Sequence, residues 1–349
     1  MKKFNALCVS VLIALVSCKK EDETLVVTDY RHGIFIVNEG SFGNNNASLT
    51  HISTDGTITQ DVYFNQNQVE LGDVLQSFTV IGSKGYAVLN NSQKIEVIEL
   101  SNMKNVATIT GLTYPRSIAN GGNGKAYVTD GSMAGLVHVV DLNTHVVTQS
   151  ISVGNGPENL ALSGNNLFVC NSGGWSLDNT VSVIDITTNS IVQTISVGDR
   201  PTDLAIDSNG DCWILCSGET IYDADWNITG HTDAMIYRID ETTFAVEDAQ
   251  TIGVSGDHPR LMDVAPDGET IYFENNGVFA LAIDATDFDG IQIISDSRNS
   301  LNIHPVSGDI WCAGPTNFVD ASSVYQYQST GTLLKTFTGG IGSNSCAFN

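Results

Sequence analysis

Six arginines are spread over the 349 residues, and four of them share one kind of setting. Arg116 follows Tyr114-Pro115, Arg200 stands between Asp199 and Pro201, Arg260 closes Asp257-His258-Pro259-Arg260, and Arg298 lies in a comparable polar stretch. With Gly156-Pro157, these stretches hold four of the seven prolines, each at a point where a fixed φ stiffens the entry into a strand and no N–H is needed. A guanidinium offers a planar fork for a carboxylate, an amide oxygen or a phosphate. The same arginines can instead pair with a nearby acid, such as Asp199 or Asp257, and tie neighbouring segments together. A second group is aromatic. Phe42, Trp175, Tyr222, Trp226 and Phe318 stand in turn-rich stretches, with Asn44, Asn45 and Asn46 beside the first. Flat apolar faces in loops suit a ring or a sugar, or pack a long loop onto itself. His231 and His258 have Asp223, Asp225 and Asp233 near in sequence, which leaves a metal-dependent hydrolase or lyase as the alternative chemistry. No tight ligand spacing accompanies them, and there is no Gly-x-Ser-x-Gly or Walker loop, so no catalytic residue, metal ligand or cofactor site is assigned. His51 and His138 fall in strand patterns and read as structural. Asp207-Ser-Asn-Gly-Asp211 mimics half a calcium loop but lacks the distant Glu, and fits a two-strand turn better.

The elements that position these residues are repeats. The run Lys125-Ala-Tyr-Val-Thr-Asp130 … Val137-His-Val-Val-Asp141 … Ser150-Ile-Ser-Val-Gly154 returns as Leu167-Phe-Val-Cys-Asn171 … Val181-Ser-Val-Ile-Asp185 … Thr194-Ile-Ser-Val-Gly198. It returns again, more loosely, around Trp213 to Asp240 and Ile271 to Asp284. An Asp ends the third strand at 141, 185, 240 and 284, and the one long spacing contains the loop Ser217 to Asp233. Four short β-branched and aromatic strands per roughly 40–45 residues, separated by Gly, Asn, Asp and Ser turns, make the blade of a propeller. No segment sustains a helical period. Degenerate copies span Gln76 to Pro115 and Asn299 to Gly342. Gly33 to Phe64 supplies only three strands (Ile34 to Asn38, Leu49 to Ile52 and Thr57 to Tyr63), and Ser345 to Asn349 supplies the missing innermost one. The expectation is an all-β, seven-bladed propeller in which the C-terminal strand completes the first blade and removes the open edge. In such a ring the four arginine-bearing links point toward one central mouth, a positive funnel in an acidic protein.

Ala126-Tyr-Val-Thr-Asp130 followed by Val137-His-Val-Val-Asp141 resembles the YVTN-type, YncE-like surface propeller repeat, over nearly the whole mature chain. A narrower likeness lies in Asn38-Glu-Gly-Ser-Phe-Gly-Asn44, Leu71-Gly-Asp-Val-Leu-Gln-Ser77, Tyr86-Ala-Val-Leu-Asn-Asn-Ser92, Lys94-Ile-Glu-Val-Ile98 and Gly173-Gly-Trp-Ser176. These resemble the surface lipoproteins of the BtuG type, propellers that capture cobalamin and pass it to a TonB-dependent outer-membrane channel. The resemblance implies a small-molecule binder without a catalytic base. Trp175, Trp226 and Tyr114 would stack on or flank the corrin ring. Arg116, Arg200, Arg260 and Arg298, with Asn44, Asn45 and Asn46, would meet amides and phosphate, and Phe42, Tyr222 and His258 complete the expected ligand-binding set. A structural or adhesive surface role is the third reading.

The chain begins with Lys2-Lys3 and a short apolar run, Ala6 to Val16, too short to span a bilayer. Leu15-Val16-Ser17-Cys18 resembles a bacterial lipobox, which implies a signal peptide at 1–17 and a diacylglycerol on Cys18. Lys19-Lys-Glu-Asp-Glu23 resembles the export signal of Bacteroidetes surface lipoproteins, so 18–32 reads as a tether, 33–349 as one propeller domain, and the location as the outer membrane, facing outward. The only membrane contact expected is the lipid anchor. A net charge of -24 argues against nucleic acid, whose phosphates need a basic face. Five cysteines remain after Cys8 and Cys18, an odd number, and Cys170, Cys212, Cys216, Cys312 and Cys346 read as small buried hydrophobes.

Overall fold

The computed structural model describes residues 29–349. The expected signal segment, the lipidation at Cys18 and most of the tether lie outside the described residues. Within them the chain builds seven four-stranded antiparallel sheets arranged as the blades of a propeller. Blade 1 pairs Ser343–Phe348, Ile34–Asn38, Ser48–Ile52 and Ile58–Thr59, from the inside outward. The innermost strands of blades 2 to 7 are Leu75–Ile81, Pro115–Gly122, Pro157–Ser163, Pro201–Ile206, Leu261–Val264 and Asn302–Ile303. Each innermost strand touches the next, and Ser343–Phe348 touches both Asn302–Ile303 and Leu75–Ile81, so the ring closes through the C-terminal strand. Closure gives Ile34–Asn38 an inner partner and completes the first blade to four strands.

The second strand of every blade carries an aromatic at the same place: Phe35, Tyr86, Tyr127, Phe168, Trp213, Tyr272 and Trp311, all buried. Both faces of these strands are covered by neighbouring sheets, so they read as near-continuous apolar runs rather than alternating ones. The core therefore lies between blades. One cluster packs Phe168, Cys170, Val181 and Val183 of blade 4 on Leu204, Cys212, Ile214 and Cys216 of blade 5. All five described cysteines are free and buried, and desolvation raises their thiol pKa values, that of Cys312 to about 12. They pack as small apolar groups.

The recurring third-strand Asp is a turn cap. Asp141 Oδ1 accepts the amides of Asn143 (2.8 Å) and Thr144 (2.9 Å), Asp185 Oδ1 that of Thr187 (2.8 Å), and Asp240 Oδ1 those of Thr242 and Thr243 (3.1 and 2.6 Å). At 284 the pattern slips, because that strand ends at Ala282. Asp207 behaves as a turn residue too: Oδ1 accepts from the Asn209 and Asp211 amides, and Oδ2 from the Trp213 indole at 2.9 Å.

Two segments differ from the sequence reading. The third strand of the Gly33–Phe64 unit is only Ile58–Thr59, and Val62–Asn67 is a short helix. Asp61 enters it in the left-handed region (φ 51), which turns the chain off the sheet and buries Val62 and Tyr63 against blade 2. The stretch Ser217 to Asp233 is no structureless loop either. Thr220–Tyr222 and Ile228–His231 form a two-stranded hairpin that stands apart from the blade.

Candidate functional site

Four innermost strands carry a bulge near their start, between Leu75 and Ser77, Pro115 and Ile118, Pro157 and Leu160, and Pro201 and Asp203. An extra residue re-aims side chains, and here it brings Gln76, Arg116, Glu158 and Thr202 to the wall of a central cavity of about 1210 Å³. All seven blades line this cavity. Links and second-to-third-strand loops converge on it from one face, and Arg116, Arg200, Tyr222, His258, Arg260 and Arg298 are all in its wall.

Polar side chains clasp neighbouring blades to one another around the ring. Ser77 Oγ donates to Arg116 O (2.9 Å), and Thr129 Oγ1 to Glu158 O (2.6 Å). Asn159 Nδ2 donates to Asp203 Oδ1 (2.9 Å), whose Oδ2 accepts the Met262 amide (2.8 Å). Asp263 Oδ2 accepts the Ile303 amide (2.7 Å), Asn302 Oδ1 that of Cys346 (2.7 Å), and Asn344 Nδ2 donates to Leu75 O (3.0 Å). These residues hold the ring. Burial pushes the Asp203 carboxyl up to about 7, against the amides of Met262 and Leu204 that favour its anion, and the Asp263 carboxyl up to about 6. Glu39 is also raised by burial, with Arg116 and Asn344 opposing.

The arginines divide. Arg116 Nε meets Glu158 Oε2 at 2.7 Å, its Nη1 donates to Gln76 Oε1 at 2.7 Å, and its guanidinium lies 5.5 Å from the Tyr114 ring centre, so it bridges three blades. Arg200 pairs with Glu219 and points Nη1 at Gly174 O (3.4 Å), from a backbone at φ 53. Arg298 is buried between Tyr325 (4.8 Å) and Tyr327 (5.6 Å), bonds the Tyr327 hydroxyl and reaches Asp296 at 3.3 Å. Arg260 is exposed in the cavity wall and has no hydrogen bond or ion pair among the described residues. The partners are thus Glu158, Glu219 and Asp296, in place of the Asp199 and Asp257 considered from sequence. The cavity is not a positive funnel: Glu39, Glu158, Asp203, Glu219, Asp263 and Glu274 share its wall with the arginines. Sequence reasoning missed these carboxylates. The available signal was an acid shortly after a link proline, as in Pro157-Glu158 and Pro201-Thr202-Asp203.

The other expected residues stand outside the cavity wall. Trp175 and Trp226 are each 81% exposed and Phe42 is 77% exposed. Trp175 lies 6.5 Å from Tyr114, the ring that covers Arg116, and Trp226 lies 5.9 Å from Tyr222 in the wall. Two Trp–Tyr pairs therefore lead from solvent into the mouth. Close backbone contact throws Trp175 outward: a Cβ on Gly156 would fall 2.0 Å from Gly174 N, so only glycine fits there. Asn46 Oδ1 accepts the Ser41 amide (2.8 Å) and shapes the loop that exposes Phe42, Asn44 and Asn45. Ser41 Oγ bonds Phe318 O, which places that loop beside another wall residue.

Tyr114 itself is set by Asp130, which accepts the Thr113 and Tyr114 amides at 2.6 and 3.0 Å. Burial works to raise the Asp130 carboxyl, yet His138 and these amides hold it at about 2. At the opposite side of the mouth, His258 Nδ1 bonds Ser217 O (2.8 Å), and its Nε2 lies 2.9 Å from Thr220 Oγ1 and 3.3 Å from His231 Nδ1. The two rings thus join the hairpin to the link. Among the described residues no three of His, Cys, Asp or Glu converge as a metal site would need. His138 and His51 are structural, the first bonded to Ser150 at 2.9 Å, the second to His32 O at 3.1 Å.

A family model described as a domain of unknown function (DUF5074) matches residues 32–272. No curated protein matches in sequence. Similar solved structures include a quinoprotein alcohol dehydrogenase-like protein from Bacteroides thetaiotaomicron (TM-score 0.66, 14% identity, 92% of this chain and 79% of that one). A protein from Lactobacillus plantarum (TM-score 0.64, 13% identity, 91% and 99%) and the hydrazine synthase of Kuenenia stuttgartiensis (TM-score 0.59, 16% identity, 77% and 87%) are also similar. At these identities the likeness shows the propeller fold and nothing of the chemistry.

Proposed function

This chain belongs to the DUF5074 family, and we propose that it is a lipid-anchored outer-membrane protein that captures a cobalamin-type ligand at the propeller mouth and delivers it to a TonB-dependent transporter. One observation carries the reading: a cavity of about 1210 Å³ opens between two Trp–Tyr pairs whose outer rings are almost fully exposed. Exposed tryptophans are costly to leave in water and serve as flat anchors for a large ring system. A drug-sized ligand needs about 300–1,000 Å³, so this cavity suits a larger one. Cobalamin is large, flat at the corrin and edged with amides, and carries one phosphate. Amide edges match the mixed carboxylate and guanidinium wall better than a purely cationic ligand or a purely anionic one would.

Calorimetry of the protein lacking residues 1–18 with cyanocobalamin tests the reading. Micromolar or tighter binding is expected, weakened in Trp175→Ala by about 2 kcal/mol, the cost of losing an aromatic anchor. No heat and no thermal shift at millimolar ligand would reject it.

A further inference from the structure

We propose that Arg260 is the anion anchor of the mouth and receives a phosphate group of the bound ligand, while the other three channel arginines hold blades and wall residues in place. The choice of ligand rests on the capture reading; the anion subsite itself does not.

Backbone and head group contrast at this residue. The link that carries Arg260 is clamped on both sides. Asp257 Oδ2 accepts the Val254 amide (2.9 Å) and Asn275 Nδ2 (3.2 Å), and Oδ1 accepts Asn276 Nδ2 (3.0 Å). His258 Nδ1 bonds Ser217 O (2.8 Å), and Ser217 Oγ donates to Pro259 O (2.5 Å). The two carboxylates nearest in sequence are thus both engaged, Asp257 with three donors and Asp263 with the Ile303 and Val264 amides, and neither is left over for Arg260. Yet the guanidinium itself meets nothing among the described residues, although it stands in a wall with six carboxylates.

The blade period explains why. Arg116 finds Gln76 40 residues before it and Glu158 42 residues after it, and Asn159 finds Asp203 44 residues on. One such period beyond Arg260 stand Leu301 and Asn302, with no acid. One period before it, Glu219 is taken by Arg200. The result is an exposed, unneutralised fork carried on a clamped backbone at the mouth, which suits bidentate recognition of phosphate. Burial raises the Asp203 carboxyl in that wall to about 7, so near neutral pH it opposes an anion less than a full charge would, whereas Asp263, at about 6, stays mostly ionised.

Two probes separate the subsite from the ligand. Inorganic pyrophosphate is titrated against the wild type, Arg260→Gln, Arg260→Lys and, as a control outside the cavity, Arg31→Gln, at fixed pH and two salt concentrations. Wild type and the control should bind alike and more weakly in high salt, Arg260→Gln should lose about tenfold or more in affinity, and Arg260→Lys should fall between, because an ammonium keeps the charge but not the fork. In parallel, cyanocobalamin is compared with dicyanocobinamide, which lacks the phosphodiester. Wild type should prefer the former by about tenfold, a preference worth about 1.4 kcal/mol that Arg260→Gln should abolish. If Arg260→Gln binds pyrophosphate as wild type does, or if wild type binds none, the anion anchor is overturned whatever cobalamin does. If pyrophosphate binds through Arg260 and cyanocobalamin gives no heat, the subsite stands and the capture reading falls.

Discussion

Replacing Asp203 by Asn tests whether the channel carboxylates hold the ring as neutral groups. Asp203 accepts the Met262 and Leu204 amides and Asn159 Nδ2, at 2.8, 2.9 and 2.9 Å, with protein on every side but the channel. Its carboxyl sits at about 7 in the fold against 3.8 in an unfolded chain. A raised value means that the neutral form fits the fold better. The stabilisation is complete below the unfolded value and is lost as pH rises from about 4 through about 7. Three units would amount to about 4 kcal/mol at 1.36 kcal/mol each. Water in the channel screens the charge, so about 2 kcal/mol is the working figure. Asn cannot ionise, but its amide nitrogen cannot accept the N–H that the lost oxygen did, which costs a further 1–3 kcal/mol or so at every pH. The offset is therefore uninformative and the slope is the test. Urea midpoints of wild type and Asp203→Asn, measured from pH 4 to 8, should converge as pH rises, wild type losing about 2 kcal/mol relative to the variant. A stability difference constant across that range would refute the reasoning.

Two further outcomes follow from the architecture and the ends. Deleting residues 343–349 strips Ile34–Asn38 of its inner partner and opens both ring joints, so melting curves should lose their cooperative transition; an unchanged curve would count against closure by this strand. Cys18→Ala should move the protein from the membrane to the soluble fraction, and added protease should remove the wild type from intact cells; a variant that stays in the membrane contradicts the lipid anchor, and resistance until cells are opened contradicts the outward location.

What was legible in the sequence was what repeats. Blade boundaries show because a buried aromatic, a turn-capping Asp and a link proline return at one spacing, and each acts locally: Asp141 bonds residues two and three positions away. The closing strand was legible as a missing copy at one end and a spare copy at the other. The helix Val62–Asn67 was not. It has six residues, no side-chain cap and no acid in its first turn, and what holds it is the burial of Val62 and Tyr63, a tertiary effect. The hairpin in Ser217–Asp233 was hidden for a similar reason: its strands are three and four residues long and mostly exposed, with little apolar alternation to mark them.

The channel chemistry was half legible, and the missing half has a rule. Arginines in the links announce themselves, but what one of them does can depend, as for Arg116, on a residue of another blade, which no local pattern records. In a ring of near-identical blades that residue is one period away. Gln76, Arg116 and Glu158 form such a series, and so do Asp263 and Ile303, 40 residues apart. The useful comparison is therefore between a residue and its counterpart in the next blade. Where the counterpart complements it, the pair clasps the ring. Where the counterpart is apolar or already engaged, the residue is left for solvent or ligand. Arg116 falls on the first side of that division and Arg260 on the second, while Arg200 and Arg298 are taken up within their own blades by Glu219 and by Asp296 and Tyr327, so the blade that breaks the complementary series is where the mouth keeps a charge to offer.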